Sequence, residues 1–197
     1  MVYKYIISLL IISNAFQIEI FQNNVRNQKI GEIIKGDFNG DGKLETARIV
    51  KIKYGFGNPI EDGEPDEYEI QFSNSKIKSL KIGCCEAILV NEGDLNNDQK
   101  DEISIYQAPM NGCLYVMSAY TYTKLEWKIV VEPYIYPTGC ESLTYTEIQN
   151  LIVKENNNIY YYTIEIEEWK LIKQKAKKQS YEREERRKRI KREKHQS

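Results

Sequence analysis

Residues 37–45 form an oxygen-rich segment whose spacing suits a bound cation. Calcium takes six to eight oxygen ligands, and a tight loop supplies them from alternate positions. Gly42, at the sixth position, suits the sharp turn of such a loop. The segment therefore predicts a calcium site. Its predicted ligands are the side chains of Asp37, Asn39, Asp41 and Glu45 and the backbone carbonyl of Lys43.

A second segment, residues 94–102, repeats this register 57 residues later. Its sixth position is Gln99 instead of glycine, which costs roughly 1 kcal/mol more if the backbone there is left-handed. We therefore expect the second calcium site to be weaker or partly empty. Its predicted ligands are the side chains of Asp94, Asn96, Asp98 and Glu102 and the backbone carbonyl of Lys100.

Two other interpretations of these segments are possible. EF-hand loops share the spacing but place a bidentate Glu at position twelve and a helix on each side. Here position twelve is Arg48 or Ile105, and strand-like sequence follows, so the EF-hand fails. A single copy could be an ordinary turn rich in Asp and Asn, but two copies in one register favour calcium. The acidic residues 61–67 lack this register and predict a solvated loop.

The first segment with its preceding glycine, Gly-Asp-Phe-Asn-Gly-Asp-Gly-Lys-Leu-Glu, resembles the calcium loop of FG-GAP or VCBS-type repeats. Such repeats build the propeller of integrin alpha subunits and occur in many secreted bacterial proteins. The resemblance covers both loops and the strands after them closely, and residues 30–172 loosely. It implies a loop that joins two strands within a propeller blade, a structural calcium ion, and ligand binding elsewhere.

The composition and the patterning favour an all-β protein. The chain has 197 residues, of which 41% are hydrophobic and 15 are Tyr, so a wholly disordered protein is excluded. Short runs rich in β-branched and tyrosine residues are bounded by Gly, Asn, Asp and Pro, as strands are. Residues 156–158, all Asn, predict a hairpin turn. The predicted strands are Thr46–Tyr54, Glu67–Phe72, Ala87–Val90, Glu102–Tyr106, Leu114–Thr123, Trp127–Glu132 and Ile159–Ile172.

Internal repeats indicate how these strands are grouped. Two Glu-Trp-Lys segments, at 126–128 and 168–170, lie 42 residues apart, and each follows a tyrosine-rich run. This offset and that of the loops are in the range of propeller blades. A closed propeller typically has four to eight blades, and residues 16–172 supply about two to three. We predict antiparallel, blade-like repeats in an incomplete ring, whose open edges could self-associate or join a larger propeller assembly.

The four cysteines are an even number, which favours disulfides in an exported chain. Adjacent cysteines close a small ring only with difficulty, and in a strand their side chains point to opposite faces. We therefore favour the two pairings that join Cys84 and Cys85 separately to Cys113 and Cys140. A thiol metal site is the alternative, but no C-x-x-C spacing supports it.

The two ends of the chain differ from its body. Residues 1–15 have the layout of a secretory signal peptide, which predicts a secreted or periplasmic protein; an N-terminal strand or uncleaved anchor is the alternative. Residues 16–172 carry 15 basic and 25 acidic residues, a net charge of −10, whereas residues 173–197 carry 12 and 4, a net charge of +8. Acidic residues four positions before basic ones predict a partly helical, solvated tail, with contact to an anionic surface or acidic partner as the alternative.

The residue types present argue against several classes of function. The only histidine is His195, within the charged tail, so a Ser-His-Asp triad or a His-built zinc site is not expected. We expect a binding or structural protein with a protein or carbohydrate ligand, not an enzyme; a glycoside hydrolase using two carboxylates outside the loops is the catalytic alternative. Nucleic acid is not an expected partner, because the tail holds a single aromatic residue. No membrane span is expected after signal cleavage.

Overall fold

Antiparallel β-sheets dominate the fold, which a computed structural model describes for residues 31–177. Within these residues, eleven strands form three separate sheets, and the one helix is short. The prediction of an all-β protein built from blade-like antiparallel repeats is confirmed.

The first sheet is a meander in which each of four strands pairs with the next. Its first two strands pair from Ile33 opposite Arg48 to Gly36 opposite Glu45, so the connection between them begins directly after Gly36. The strands are β1 (Ile33–Gly36), β2 (Glu45–Lys53), β3 (Glu67–Phe72) and β4 (Leu80–Cys84).

The second sheet repeats this four-strand meander. Its first two strands pair from Ala87 opposite Gln107 to Asn91 opposite Ile103. Its last two strands form a long hairpin. The strands are β5 (Ala87–Asn91), β6 (Ile103–Gln107), β7 (Leu114–Thr123) and β8 (Glu126–Pro137).

The third sheet has three strands, β9 (Ile152–Glu155), β10 (Asn158–Glu165) and β11 (Lys170–Lys175), with β10 in the middle. The predicted hairpin turn is confirmed, since Asn156 and Asn157 have φ of +47° and +60° between β9 and β10. Asn tolerates this left-handed backbone better than most residues.

Helix α1 (Tyr145–Gln149) precedes the third sheet and was not predicted. Thr144 caps it, because its hydroxyl accepts a hydrogen bond from Glu147 N at 3.3 Å while Thr144 N donates to the Glu147 carboxylate at 2.7 Å. Such a capping box satisfies two amides at the end of a helix. Ile148 is fully buried and anchors α1 to the core.

The second sheet is buried on both faces. Ile103 on one face of β6 belongs to a cluster with Phe38 and Ile70 from the side of the first sheet. Tyr106 on the other face belongs to a cluster with Ile148 of α1 and Ile152 of β9. Burying a side chain of this size stabilises the fold by about 1.5–3 kcal/mol. The sheets are therefore held to one another through the second one.

Several predicted boundaries change. Glu67–Phe72 and Leu114–Thr123 are strands with the predicted ends, whereas the run Ile159–Ile172 is divided by a turn at 166–169 into β10 and β11. β11 also continues to Lys175, so the first residues assigned to the tail belong to a sheet. The predicted signal peptide and the rest of the tail lie outside the described residues. Among residues 31–177, no helix is long and apolar enough to cross a membrane.

Candidate metal centre

Both predicted calcium loops occupy the same position in their sheets. Residues 37–44 connect β1 to β2, and residues 92–102 connect β5 to β6. Glu45 is the first residue of β2, and Glu102 immediately precedes β6. The ninth residue of each loop therefore lies at the start of the second strand of a four-stranded sheet.

The carboxylate of Asp37 organises the first loop. Its Oδ1 accepts hydrogen bonds from Gly40 N at 2.8 Å and Asp41 N at 3.1 Å, and its Oδ2 accepts one from Gly42 N at 2.8 Å. Both glycines have positive φ, +76° and +81°, which glycine adopts without penalty. Asp41 Oδ1 accepts from Lys43 N at 3.0 Å. The chain thus winds around the Asp37 side chain.

Three predicted ligands of the first loop lie together. Asn39 Nδ2 donates to Asp41 Oδ2 at 3.2 Å and to Glu45 Oε1 at 3.0 Å. Glu45 is 3% exposed, and its carboxylate also accepts hydrogen bonds from Phe38 N at 3.2 Å and Asn74 Nδ2 at 3.1 Å. Positions three, five and nine are therefore adjacent, with the carboxylate of Glu45 buried below the loop.

The second loop has the same pattern of contacts. Asp94 Oδ1 accepts a hydrogen bond from Asp98 N at 3.1 Å, and Asp94 Oδ2 accepts one from Gln99 N at 3.0 Å. Asn96 Nδ2 donates to Glu102 Oε1 at 2.9 Å, as its counterpart in the first loop donates to Glu45. The two loops thus share side-chain contacts as well as sequence.

Glu102 is the most enclosed carboxylate of the two loops. It is 0% exposed, and Leu95 N donates to its Oε2 at 2.6 Å. Burial raises the pKa of Glu102 to about 7, while hydrogen bonds from Thr121 and Leu95 oppose the rise. A nearby positive charge would offset the cost of burying this carboxylate.

The second loop differs from the first in ways that disfavour a cation. Gln99 has φ of +66°, so the left-handed backbone expected at position six is present without the glycine that suits it. Lys100 Nζ lies 2.9 Å from Asp98 Oδ2, and Lys154 Nζ donates to the carbonyl oxygen of Asp94. A cation at Asp98 would have to compete with the ammonium group of Lys100, and Lys154 places a second positive charge beside Asp94.

Asp101 joins the two loops, and sequence reasoning missed it. Its Oδ2 accepts hydrogen bonds from Asp37 N at 2.9 Å and Asn91 Nδ2 at 3.0 Å. A Cβ on Gly36 would lie 2.7 Å from the same oxygen, so a larger residue there would displace the Asp101 carboxylate. The one available signal was that position eight is Asp101 in the second loop and Leu44 in the first.

The donor chemistry fits calcium, although the side chains do not form a ready cage. Within residues 31–177, no group of three or more His, Cys, Asp or Glu side chains is arranged to hold a metal. Each loop instead offers carboxylate, amide and carbonyl oxygens, the hard donors that calcium takes. A carboxylate oxygen that accepts one N–H keeps a second lone pair. Asn96 Oδ1 is buried without any hydrogen-bond partner, an oxygen that a cation would satisfy.

No protein-family model, curated protein or solved structure matches this chain. The FG-GAP or VCBS resemblance therefore rests on the two loops and their strands.

The favoured disulfide pairings are wrong. Cys113 and Cys140 are bonded to each other, with Cα atoms 4.9 Å apart, and Cys84 and Cys85 are not disulfide-bonded. The reason is the β7–β8 hairpin, in which Leu114 lies opposite Pro137 and so brings the flanking cysteines together.

The acidic segment 61–67 covers the end of the connection between β2 and β3 and the first residue of β3, Glu67, and two lysines of β2 face it. Lys51 Nζ lies 2.5 Å from Asp66 Oδ2, and Lys53 pairs with Glu64 and, at 3.6 Å, with Glu67. The hydrogen bond from Lys51 lowers the pKa of Asp66, which disfavours a general acid at this carboxyl.

Proposed function

We propose that this chain is an exported calcium-binding β-repeat module, with a structural metal and a binding or structural role. The observation that carries the proposal is the repeated loop: the same oxygen register joins the first and second strands of both four-stranded sheets. A turn needed once can arise from local sequence alone. The same buried Glu and the same Asn-to-Glu contact recur in the loops of two sheets, which favours a common role for the two loops.

Bound calcium would raise the free energy of unfolding. The first loop holds Asp37, Asp41 and Glu45 in one short turn, and like charges at this spacing oppose folding. A cation between them would reverse that repulsion and tie the loop to the first residue of β2. An ion that binds only the native chain adds about 2.7 kcal/mol at a concentration 100 times its Kd.

Assembly with other chains is the second part of the proposal. Within the described residues the third sheet has three strands, one fewer than each of the other two. An unpaired strand edge presents free backbone donors and acceptors to another chain. We therefore propose self-association, or a place in a larger propeller assembly, and sedimentation velocity across a concentration series tests it.

Calcium binding itself is tested by isothermal titration calorimetry of the chain after dialysis against a chelator. We expect one tighter site that is lost in Asp37→Ala/Asp41→Ala and a weaker site that is lost in Asp94→Ala/Asp98→Ala. Magnesium is the matched control ion, because it demands near-octahedral geometry and gives up its water reluctantly. No calcium heat in the wild-type chain would overturn the proposal.

A further inference from the structure

Cys84 and Cys85 lie side by side where the first sheet passes into the second. Cys84 ends β4, and β5 begins two residues after Cys85. Their Sγ atoms are 2.6 Å apart. An S–S bond measures about 2.03–2.05 Å, so the two sulfur atoms need to approach by only about 0.6 Å to bond.

The backbone holds the two thiols together. Successive side chains of a strand point to opposite faces, but Cys85 has φ of +82°, which ends the strand geometry and turns its side chain toward Cys84. A residue other than glycine is strained in the left-handed region and persists there only where its surroundings impose it. Gln107 Nε2 fixes the strand end by donating to Ile82 O at 2.8 Å and to Cys84 O at 2.5 Å.

The pair is open to small reagents. Both cysteines are half-buried. Cys85 lines an open cleft of about 540 Å³, together with Phe56, Tyr68 and Met110. Burial, reinforced by the hydrogen bond with Cys84, raises the pKa of Cys85 to about 12. The cleft gives a reagent access to Cys85, and the two Sγ atoms lie close enough for the second thiol to reach a mixed disulfide formed on the first.

We propose that Cys84 and Cys85 form a reversible redox site, which a low-molecular-weight disulfide converts into a vicinal disulfide. One of the two cysteines, as its thiolate, attacks one sulfur of the disulfide, forms a mixed disulfide and releases one thiolate. The other cysteine, as its thiolate, then attacks the Sγ of the first, which forms the Cys84–Cys85 bond and releases the second thiolate. The two cysteines are oxidised, the reagent is reduced to two thiols, and the two cysteine protons pass to the released thiolates.

This site differs in kind from the Cys113–Cys140 disulfide. That bond spans a sequence separation of 27 and restricts the unfolded chain, which is how a disulfide stabilises a fold. A bond between adjacent residues closes no loop of appreciable length and gives little such stabilisation. A strained disulfide in a small ring is also more readily reduced than an unstrained disulfide. The Cys84–Cys85 pair is therefore suited to reversible exchange.

The test uses the full chain, with Cys113–Cys140 intact, equilibrated in glutathione buffers of stepped thiol-to-disulfide ratio. Acid quenching, alkylation with N-ethylmaleimide and peptide mass spectrometry then report each cysteine. We expect the peptide that contains both residues to lose two hydrogens and take no alkyl group. Its half-reduction should need at least about ten-fold less reducing buffer than that of Cys113–Cys140.

Two further measurements separate this chemistry from random oxidation. In Cys85→Ser the second step is removed, so Cys84 should accumulate one glutathione adduct. If that variant does not fold, the wild-type chain in concentrated urea serves instead, and its closed fraction should fall about ten-fold because the held geometry is lost. Two outcomes would overturn the proposal. One is that the peptide with both cysteines takes two alkyl groups at every thiol-to-disulfide ratio, and the other is that Cys84 and Cys85 of the folded wild-type chain each carry a glutathione adduct.

Discussion

Asp101 and Asp37 are joined by two hydrogen bonds. Asp37 N donates to Asp101 Oδ2 at 2.9 Å, and Asp101 N donates to the carbonyl oxygen of Asp37 at 2.9 Å. The residues are 64 positions apart in the sequence and lie in loops of different sheets. The first loop is therefore anchored on the second, and its conformation depends on the packing of both sheets.

Asp101→Ala should destabilise the fold by about 1–3 kcal/mol, because it leaves Asp37 N and Asn91 Nδ2 without their shared acceptor. Urea unfolding followed by circular dichroism measures the change. Asp62→Ala is the matched control: Asp62 is exposed in the β2–β3 connection, and its loss should change stability by less than about 0.5 kcal/mol. Equal stabilities for the two variants would show that the link between the loops is unimportant.

The sixth positions of the two loops should respond in opposite directions to glycine. Gln99→Gly relieves a left-handed backbone and should stabilise the fold by about 1 kcal/mol, whereas Gly42→Ala should destabilise it by a similar amount. A Cβ at Gly42 meets no atom within 4 Å, so the penalty there comes from φ alone. Thermal midpoints should move by roughly 2–4 °C in each direction. Shifts of the same sign would contradict this account of the turns.

Removing the disulfide should cost about 3.5 kcal/mol in the chain-entropy model. The double variant Cys113→Ala/Cys140→Ala tests this by denaturant unfolding, with the wild-type chain in a strong reductant as a second sample. Cys84→Ala/Cys85→Ala is the matched control, since it removes two thiols without opening a long loop. If the control loses as much stability as the first variant, the loop-closure explanation fails.

The sequence predicted features that are set locally, and it missed those set by long-range pairing. Glu67–Phe72 and Leu114–Thr123 were predicted with the observed ends, because β-branched and aromatic residues mark them and polar turns bound them. β1 has only four residues, and β4 includes Gly83; each is a strand because of its neighbour in the sheet. Neither strand has a sequence pattern that would identify it without its neighbour.

The same division applies to the candidate site. The order of Asp, Asn and Glu in each loop is a local pattern, and two of the ligands that it predicts, Asn39 and Glu45, are in contact. The contact of Asp101 with Asp37 depends on how two sheets pack, which no local pattern contains. The cysteine pairing failed for a related reason: it depends on the β7–β8 register and on the positive φ of Cys85.

Thermal unfolding in chelator and then across a calcium titration tests the central claim most directly. The midpoint of the wild-type chain should climb with calcium, because binding to the native state stabilises it by linkage. Asp37→Ala/Asp41→Ala should lose most of that climb, and Asp94→Ala/Asp98→Ala should lose less, in keeping with the weaker second loop. A wild-type midpoint that does not move with calcium, or one that moves equally in the Asp37→Ala/Asp41→Ala variant, would contradict the assignment of a metal to the first loop.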